Sequence, residues 1–592
     1  MRLLLFVFIL CSVTLRGQTD LLARNYFDQG EFEKAKTLYS KLLRQEPNRL
    51  EYLLALVETH QQLEEFEAAE LLLVKRLAGR GVIPQLYVDL GHNYALQQQD
   101  SLAEESYRQA IAYVEERPGS AYSIGKTFQE YSLLDKAAQV FERAMELDPE
   151  RNFKPQLARI YGEQGKLDLM FDTYLDLMQT NPAYRAVAQR NFSMYVNEDP
   201  GNEANVLLRR ALLKRIQNAP SSMYNQLLSW LFIQQADYDK AFVQEKAIYR
   251  RSEGDLEGII DLVFITLSAE AWEEAEEVVS FLIEEAPSLE VRLEGEKYRM
   301  QIKVKRAQPS EYGGIDQEFE QLLNEYGRAG STFGIQLEQA RFLAYQYDQP
   351  QRSIDLLKSL LEEKLSEYQQ GQARMLMADV LVAEERFNEA LINYSRIQRS
   401  GGNSLQSQEA AFKVARTSYF KGDFQWAQVQ LDVLKQSASQ LIANDAMQLS
   451  LMIKDNSLED STQVALKNYA ISDLKKLQGN HNEAILTLRQ ILLDHKGTSI
   501  EDEALLSLGE CYELVGQYER AVETYQKLIE FHGDDILADD AHYRLGQLYE
   551  EKLAQPDLAK GHYETILFEH SDSIFFVDAR KRYRNLRGDS IN

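Results

Sequence analysis

Residues 119–149 read GSAYSIGKTFQEYSLLDKAAQVFERAMELDP. The stretch carries a small residue at Gly125, aromatics at Phe128 and Phe141, alanines at Ala137 and Ala144, and a proline at Pro149. Each residue type has a packing task. Small residues let two helices approach closely, and the aromatics fill the gaps between them. Proline cannot continue a helix, so Pro149 ends the second helix and sets the turn beyond it.

Ala137 belongs to a series. Ala35, Ala69, Ala103 and Ala137 recur every 34 residues, each in the second helix of a candidate pair. A helix-turn-helix unit of this period cannot bury its apolar face alone and must stack on its neighbours, which implies a solenoid. Tyr26, Gly30, Phe32, Tyr39, Leu42 and Pro47 surround the first anchor, and Gly91, Tyr94, Tyr107 and Ala110 surround the third. Tyr161, Tyr174, Leu177 and Pro182 mark a looser unit. Further on, Ala241 and Ala275 again stand 34 apart, supported by Tyr238, Trp272, Leu282 and Pro287. From about Ser353 the anchors Ala390, Ala427, Ala484, Ala521 and Ala559 lie further apart, each followed by Tyr394, Leu431, Leu488, Tyr525 or Tyr563, which predicts slightly longer helices.

On these residues the sequence resembles the tetratricopeptide repeat family. The segments Asp502-Glu503-Ala504 to Tyr525 and Ala538-Asp539-Asp540-Ala541 to Tyr563 are similar to repeats of periplasmic cell-envelope proteins of Gram-negative, Bacteroidota-like bacteria. The expected fold is all-α, a right-handed superhelical solenoid of tandem helix-turn-helix repeats. The expected organisation is a signal peptide over 1–17, an N-terminal array over 18–182, degenerate helical repeats over 183–335, a C-terminal array over 336–570 and a capping helix over 571–592. Breaks at Asp199-Pro200-Gly201, at Gln308-Pro309-Ser310 through Gly313-Gly314, and at Gly327 to Gly334 predict longer loops or altered repeats, the sites of bending. The last segment, Phe575 to Arg584, is amphipathic and basic, as an end helix closing the final repeat would be.

Composition agrees with an array. The chain has 592 residues, only 12 prolines and no linker rich in Gly, Ser or Pro, too long for one core yet without a domain break. Its formal net charge of -27 repels phosphate backbones and anionic headgroups, so nucleic acid is an unsuitable partner. Met1-Arg2, the apolar run Leu3 to Val13, and Leu15-Arg16-Gly17-Gln18 have the form of a cleavable export signal, and no second apolar stretch follows that could span a membrane. Cys11 follows Phe8-Ile9-Leu10, which lacks the small residue a lipoprotein signal places before its cysteine. Cleavage would leave Cys511 alone, so stability must come from helix packing.

No chemistry is readable. The eight histidines, among them His60, His92, His481, His495 and His570, form no HExxH motif and no ligand pair on one helix turn, so no metal is expected. Phosphate-binding glycine loops and the GxSxG elbow are missing too, and no cofactor is expected. The acidic pairs Glu64-Glu65, Glu273-Glu274 and Glu384-Glu385 read as solvated turns.

In the resembled family the first helix of each pair lines a concave face. The resemblance therefore directs attention to Arg24, Glu58, His92 and Lys126, successive equivalents that would form a mixed-charge row. Near the C-terminus the equivalents are Glu510 and Gln547, with Glu513, Glu550 and Glu551 one turn along, an acidic lining suited to a basic or neutral segment. The asparagine-and-lysine pattern by which some members clamp an acidic C-terminus is not present. The expected function is a non-catalytic scaffold, exported and periplasmic or outer-membrane-associated, that holds protein or peptide partners of the cell envelope. The alternative is a dedicated non-catalytic subunit of an envelope transport, assembly or enzyme complex.

Overall fold

The computed structural model describes residues 19–79, 81–402, 404–437, 439–457 and 463–588. The expected signal segment 1–17, with Cys11, lies outside them. All regular structure among the described residues is helical, arranged as antiparallel pairs in tandem. The chain divides into two compact units, one ending at Thr266 and the other starting at Leu267.

In the first unit the repeat is built by one local device used over and over. Each pair with an anchor alanine turns through a residue in the left-handed region five positions before it. Gly30 (φ 76), Glu64 (φ 58), Gln98 (φ 61) and Ser132 (φ 57) hold this place ahead of Ala35, Ala69, Ala103 and Ala137. The backbone N–H after each turn residue reaches back to a carbonyl of the preceding helix, Glu65 to His60 (2.9 Å), Gln99 to Tyr94 (3.0 Å) and Leu133 to Phe128 (2.8 Å). A left-handed residue with this reach-back bond stops a helix and satisfies its last carbonyls, so the second helix can start at once. All eleven anchor alanines, in both units, follow such a residue at the same distance.

The alanines then sit at the closest approach of the two helices. Ala35, Ala69, Ala137 and Ala241 are fully buried, and Ala103 is 3 % exposed. Twelve residues before an anchor, the first helix presents a small side chain to the large one four residues after it. Added at Gly125, a Cβ would come within 2.5 Å of the Phe141 ring, and at Gly91 it would run into Tyr107. Helices Ala121–Glu130 and Leu134–Leu147 meet on this contact. Helices ending at Leu147 and Thr180 stop two residues before Pro149 and Pro182.

The second unit repeats the device, with departures. The interval of 57 residues between Ala427 and Ala484, expected as a lengthened repeat, instead contains an additional helix, Gln440–Asp455, between the pairs Leu405–Phe420 with Phe424–Ser437 and Val464–Leu477 with His481–Asp494. The final pair has one residue more between its contact partners, and a π-helical turn at Leu548–Lys552 absorbs it, so Gly546 still meets the Tyr563 ring at 2.5 Å from its would-be Cβ. Gly313 and Gly314, expected in a loop, lie inside helix Tyr312–Tyr326, entered directly from the short turn Pro309–Glu311. The chain closes on helix Phe576–Arg587, where Ala579 is fully buried, Phe575 stacks on Tyr543 at 4.2 Å, and Arg582 binds Glu550 and Glu551 of the preceding pair. These contacts tie the helix to the preceding pair. Cys511 is buried and unpaired in helix Glu501–Leu514.

Among the described residues no helix is long and apolar enough to cross a membrane.

Candidate functional site

Three successive first helices of the first unit, Leu50–Gln62, Leu86–Leu96 and Ala121–Glu130, border a groove of about 640 Å³. Two of the four residues expected in its row, Glu58 and His92, do line it. The other two do not. Arg24 is exposed beside Asp28 at 4.0 Å, and Lys126 is tied to Glu130 at 3.3 Å.

The floor of the groove is Asp89, only 3 % exposed. Its Oδ1 accepts a hydrogen bond from the Tyr131 hydroxyl at 2.7 Å, while Oδ2 is buried without any partner. Burial drives the Asp89 carboxyl up to about 7, opposed by the Tyr131 bond and reinforced by Glu130. The His92 ring stacks flat on Tyr131, centroids 3.8 Å apart, and burial lowers its pKa so that the neutral imidazole is favoured. The Glu58 carboxyl is raised by desolvation in the groove and then by Asp28. Among the described residues neither lysine nor arginine lines the groove.

Asp89 and Tyr131 escaped the sequence reading because they break the repeat. One period either side of Asp89 stand Ala55 and Ser123, and one and two periods before Tyr131 stand Gln97 and Leu63. A lone carboxylate between Val88 and Leu90 in a helix with six buried residues was the available signal.

The acidic lining expected in the second unit is occupied by the protein's own cations and hydroxyls. Glu510 pairs with Lys476 at 3.3 Å and Arg544 at 3.4 Å. Glu513 accepts from the Tyr525 hydroxyl, Glu550 from Tyr563 and Arg582, and Glu551 from Arg582. Gln547 donates to the Tyr543 hydroxyl at 3.3 Å. A smaller cavity of about 240 Å³ behaves the same way: Asp379 holds Lys413 through both oxygens at 2.8 Å and accepts from Tyr394. The last pair also gathers histidines that the sequence scatters, with Nδ1 of His542 3.0 Å from Nδ1 of His562, and burial takes His542 down to about 4. Among the described residues no group of His, Cys, Asp and Glu is arranged to hold a metal ion.

Two tetratricopeptide repeat family models match the chain, one over residues 21–81 and one over residues 504–535. A comparison with curated proteins returns no match. Among solved structures, the APC/C hetero-tetramer Cut9–Hcn1 has a similar chain, 14% identical, with 96% of this chain and 96% of that chain covered and a TM-score of 0.24. A chain of Naa15/Naa10 bound to HypK-THB is 11% identical over 97% of this chain and 96% of its own, with a TM-score of 0.31. The protein thus carries tetratricopeptide-type repeats in both units, a protein-interaction fold.

Proposed function

We propose that this protein is a non-catalytic scaffold of the bacterial cell envelope, exported by its N-terminal segment, that holds a segment of a partner protein along the first helices of its N-terminal unit. The observation that carries the reading is the groove at Glu58, Asp89 and His92, lined by acidic groups, with one oxygen of its floor carboxylate Asp89 buried and unpartnered. Such an oxygen costs about 1–3 kcal/mol, which a donor from a partner would recover. The envelope assignment rests on the form of residues 1–17 and on the likeness of the last third to periplasmic repeats.

The test is crosslinking of the tagged protein in its native cells, followed by fractionation and mass spectrometry. Recovery in the envelope fraction with crosslinks at first helices of the N-terminal unit is the expected result. One partner at fixed stoichiometry would assign the protein to a dedicated complex, and several at varied ratios to a general scaffold. An uncleaved cytoplasmic chain without crosslinked partners contradicts the proposal.

A further inference from the structure

The groove of the first unit has a chemistry more specific than an open surface. Its floor is a carboxylate with one oxygen satisfied and one bare, Asp89, in a position the neighbouring repeats fill with Ala55 and Ser123. Removing an ionised carboxylate from water is costly unless a cation or several hydrogen-bond donors replace the water. Tyr131 supplies one donor. Every other charged group facing the groove adds to the deficit: Glu58 and Glu64 come from the first of the three helices and the turn after it, and Glu130 from the third. His92 is held neutral, so it offers no compensating charge. Lys126 is engaged with Glu130, and Lys36 with Glu65.

We infer that the groove is a pocket for a single basic side chain, lysine or arginine, of a partner protein, its cation pairing with the Asp89 carboxylate at the floor and its alkyl stem lying along Leu54 and Leu96. This deepens the function proposed above and rests on its reading of the groove as the partner site. Long basic side chains combine an apolar stem with a charged head, which suits a groove with leucine walls and a carboxylate floor. Arginine is favoured over lysine because its planar head can donate to Asp89 while lying against the flat His92–Tyr131 stack. The raised pKa of Asp89 adds a signature: near neutral pH the carboxyl is partly protonated, and the entering cation expels that proton.

The test uses the full chain and four pools of fluorescent octapeptides, random in neutral residues, with arginine, lysine, citrulline or norleucine fixed at the centre. Binding is followed by anisotropy at pH 7.5 and by calorimetry in buffers of different ionisation enthalpy. The arginine and lysine pools are expected to bind about tenfold tighter than the citrulline and norleucine pools, with release of a proton, and to tighten several-fold between about pH 6 and 8. Asp89→Asn keeps the acceptor for Tyr131, so it should fold normally by circular dichroism, yet reduce the preference to within about threefold and remove the proton release. Glu58→Gln should weaken the basic pools less. Equal binding of the four pools, no binding of the basic pools, or a preference that survives in Asp89→Asn overturns the inference. A photoreactive residue at Gln62 separates this from failure of the partner site: neutral pools that crosslink there as well as basic ones leave the site standing and remove only its charge preference. Crosslinks confined to other surfaces remove both.

Discussion

The two units use one packing device and close most, but not all, of their acidic residues. In the second unit several carboxylates along the first helices are closed by partners from the chain itself, Asp379 by Lys413, Glu510 by Lys476 and Arg544, Glu550 and Glu551 by Arg582, while Glu503 keeps Oε2 buried without a partner and lies in no comparable groove among the described residues. In the first unit Asp89 keeps a bare oxygen in a groove that no described lysine or arginine lines. The left-handed turns, buried alanines and glycine-on-ring contacts are common to both. The difference teaches that packing sets the spacing of these helices, while the choice of cation on neighbouring helices decides whether a row of carboxylates is structural or available.

Five substitutions break or sharpen that contrast. The largest effect belongs to Asp89→Asn. A carboxyl whose folded pKa is raised keeps its contribution below its unfolded value near 3.8 and loses it as pH rises through about 7. Wild type should therefore lose on the order of 3–4 kcal/mol over that window relative to the variant, with a constant offset between them below about pH 4. Thermal unfolding of both chains across pH checks this, and the change should appear as local protection in the first unit by hydrogen exchange. Next, Gly125→Leu and Gly509→Leu each drive a side chain into a ring, Phe141 or Tyr525, and should cost about 3 kcal/mol apiece. Similar losses in both units would sustain the shared packing, whereas tolerance in one would break it.

Lys413→Met converts the closed arrangement into the open one. Asp379 would retain Tyr394 but lose its cation, and because both charges are partly solvated the expected cost is about 2 kcal/mol, measured by denaturant unfolding. The smallest change is Ser132→Gly, which relieves a left-handed turn at φ 57 and should stabilise the first unit by about 1 kcal/mol.

The repeat itself was legible because the residues that make it are small, periodic and local. Ala137, Gly125 and Phe141 announce a helix pair without help from the rest of the chain. The extra helix Gln440–Asp455 was not legible, since a single amphipathic helix has the same apolar periodicity as half of a pair. Nor was the π turn at Leu548–Lys552, whose one additional residue looks like ordinary spacing variation. Of the site, Glu58 and His92 followed from the 34-residue register. Asp89 and Tyr131 did not, because their meeting joins residues 42 apart, on a register unrelated to the repeat. The acidic residues at the C-terminal end were visible, but their pairing with Lys476, Arg544 and Arg582 depends on side-chain reach between neighbouring pairs.

The most direct measurement places a photoreactive amino acid at Gln62, inside the groove, or at Leu71, 69% exposed on a second helix, and irradiates the two full-length chains in native cells. A discrete partner adduct from Gln62, absent from Leu71 and diminished by Asp89→Asn, is the predicted result. Equal adducts from both positions, or none from Gln62 while the protein is folded and abundant, would contradict a partner site on the first helices.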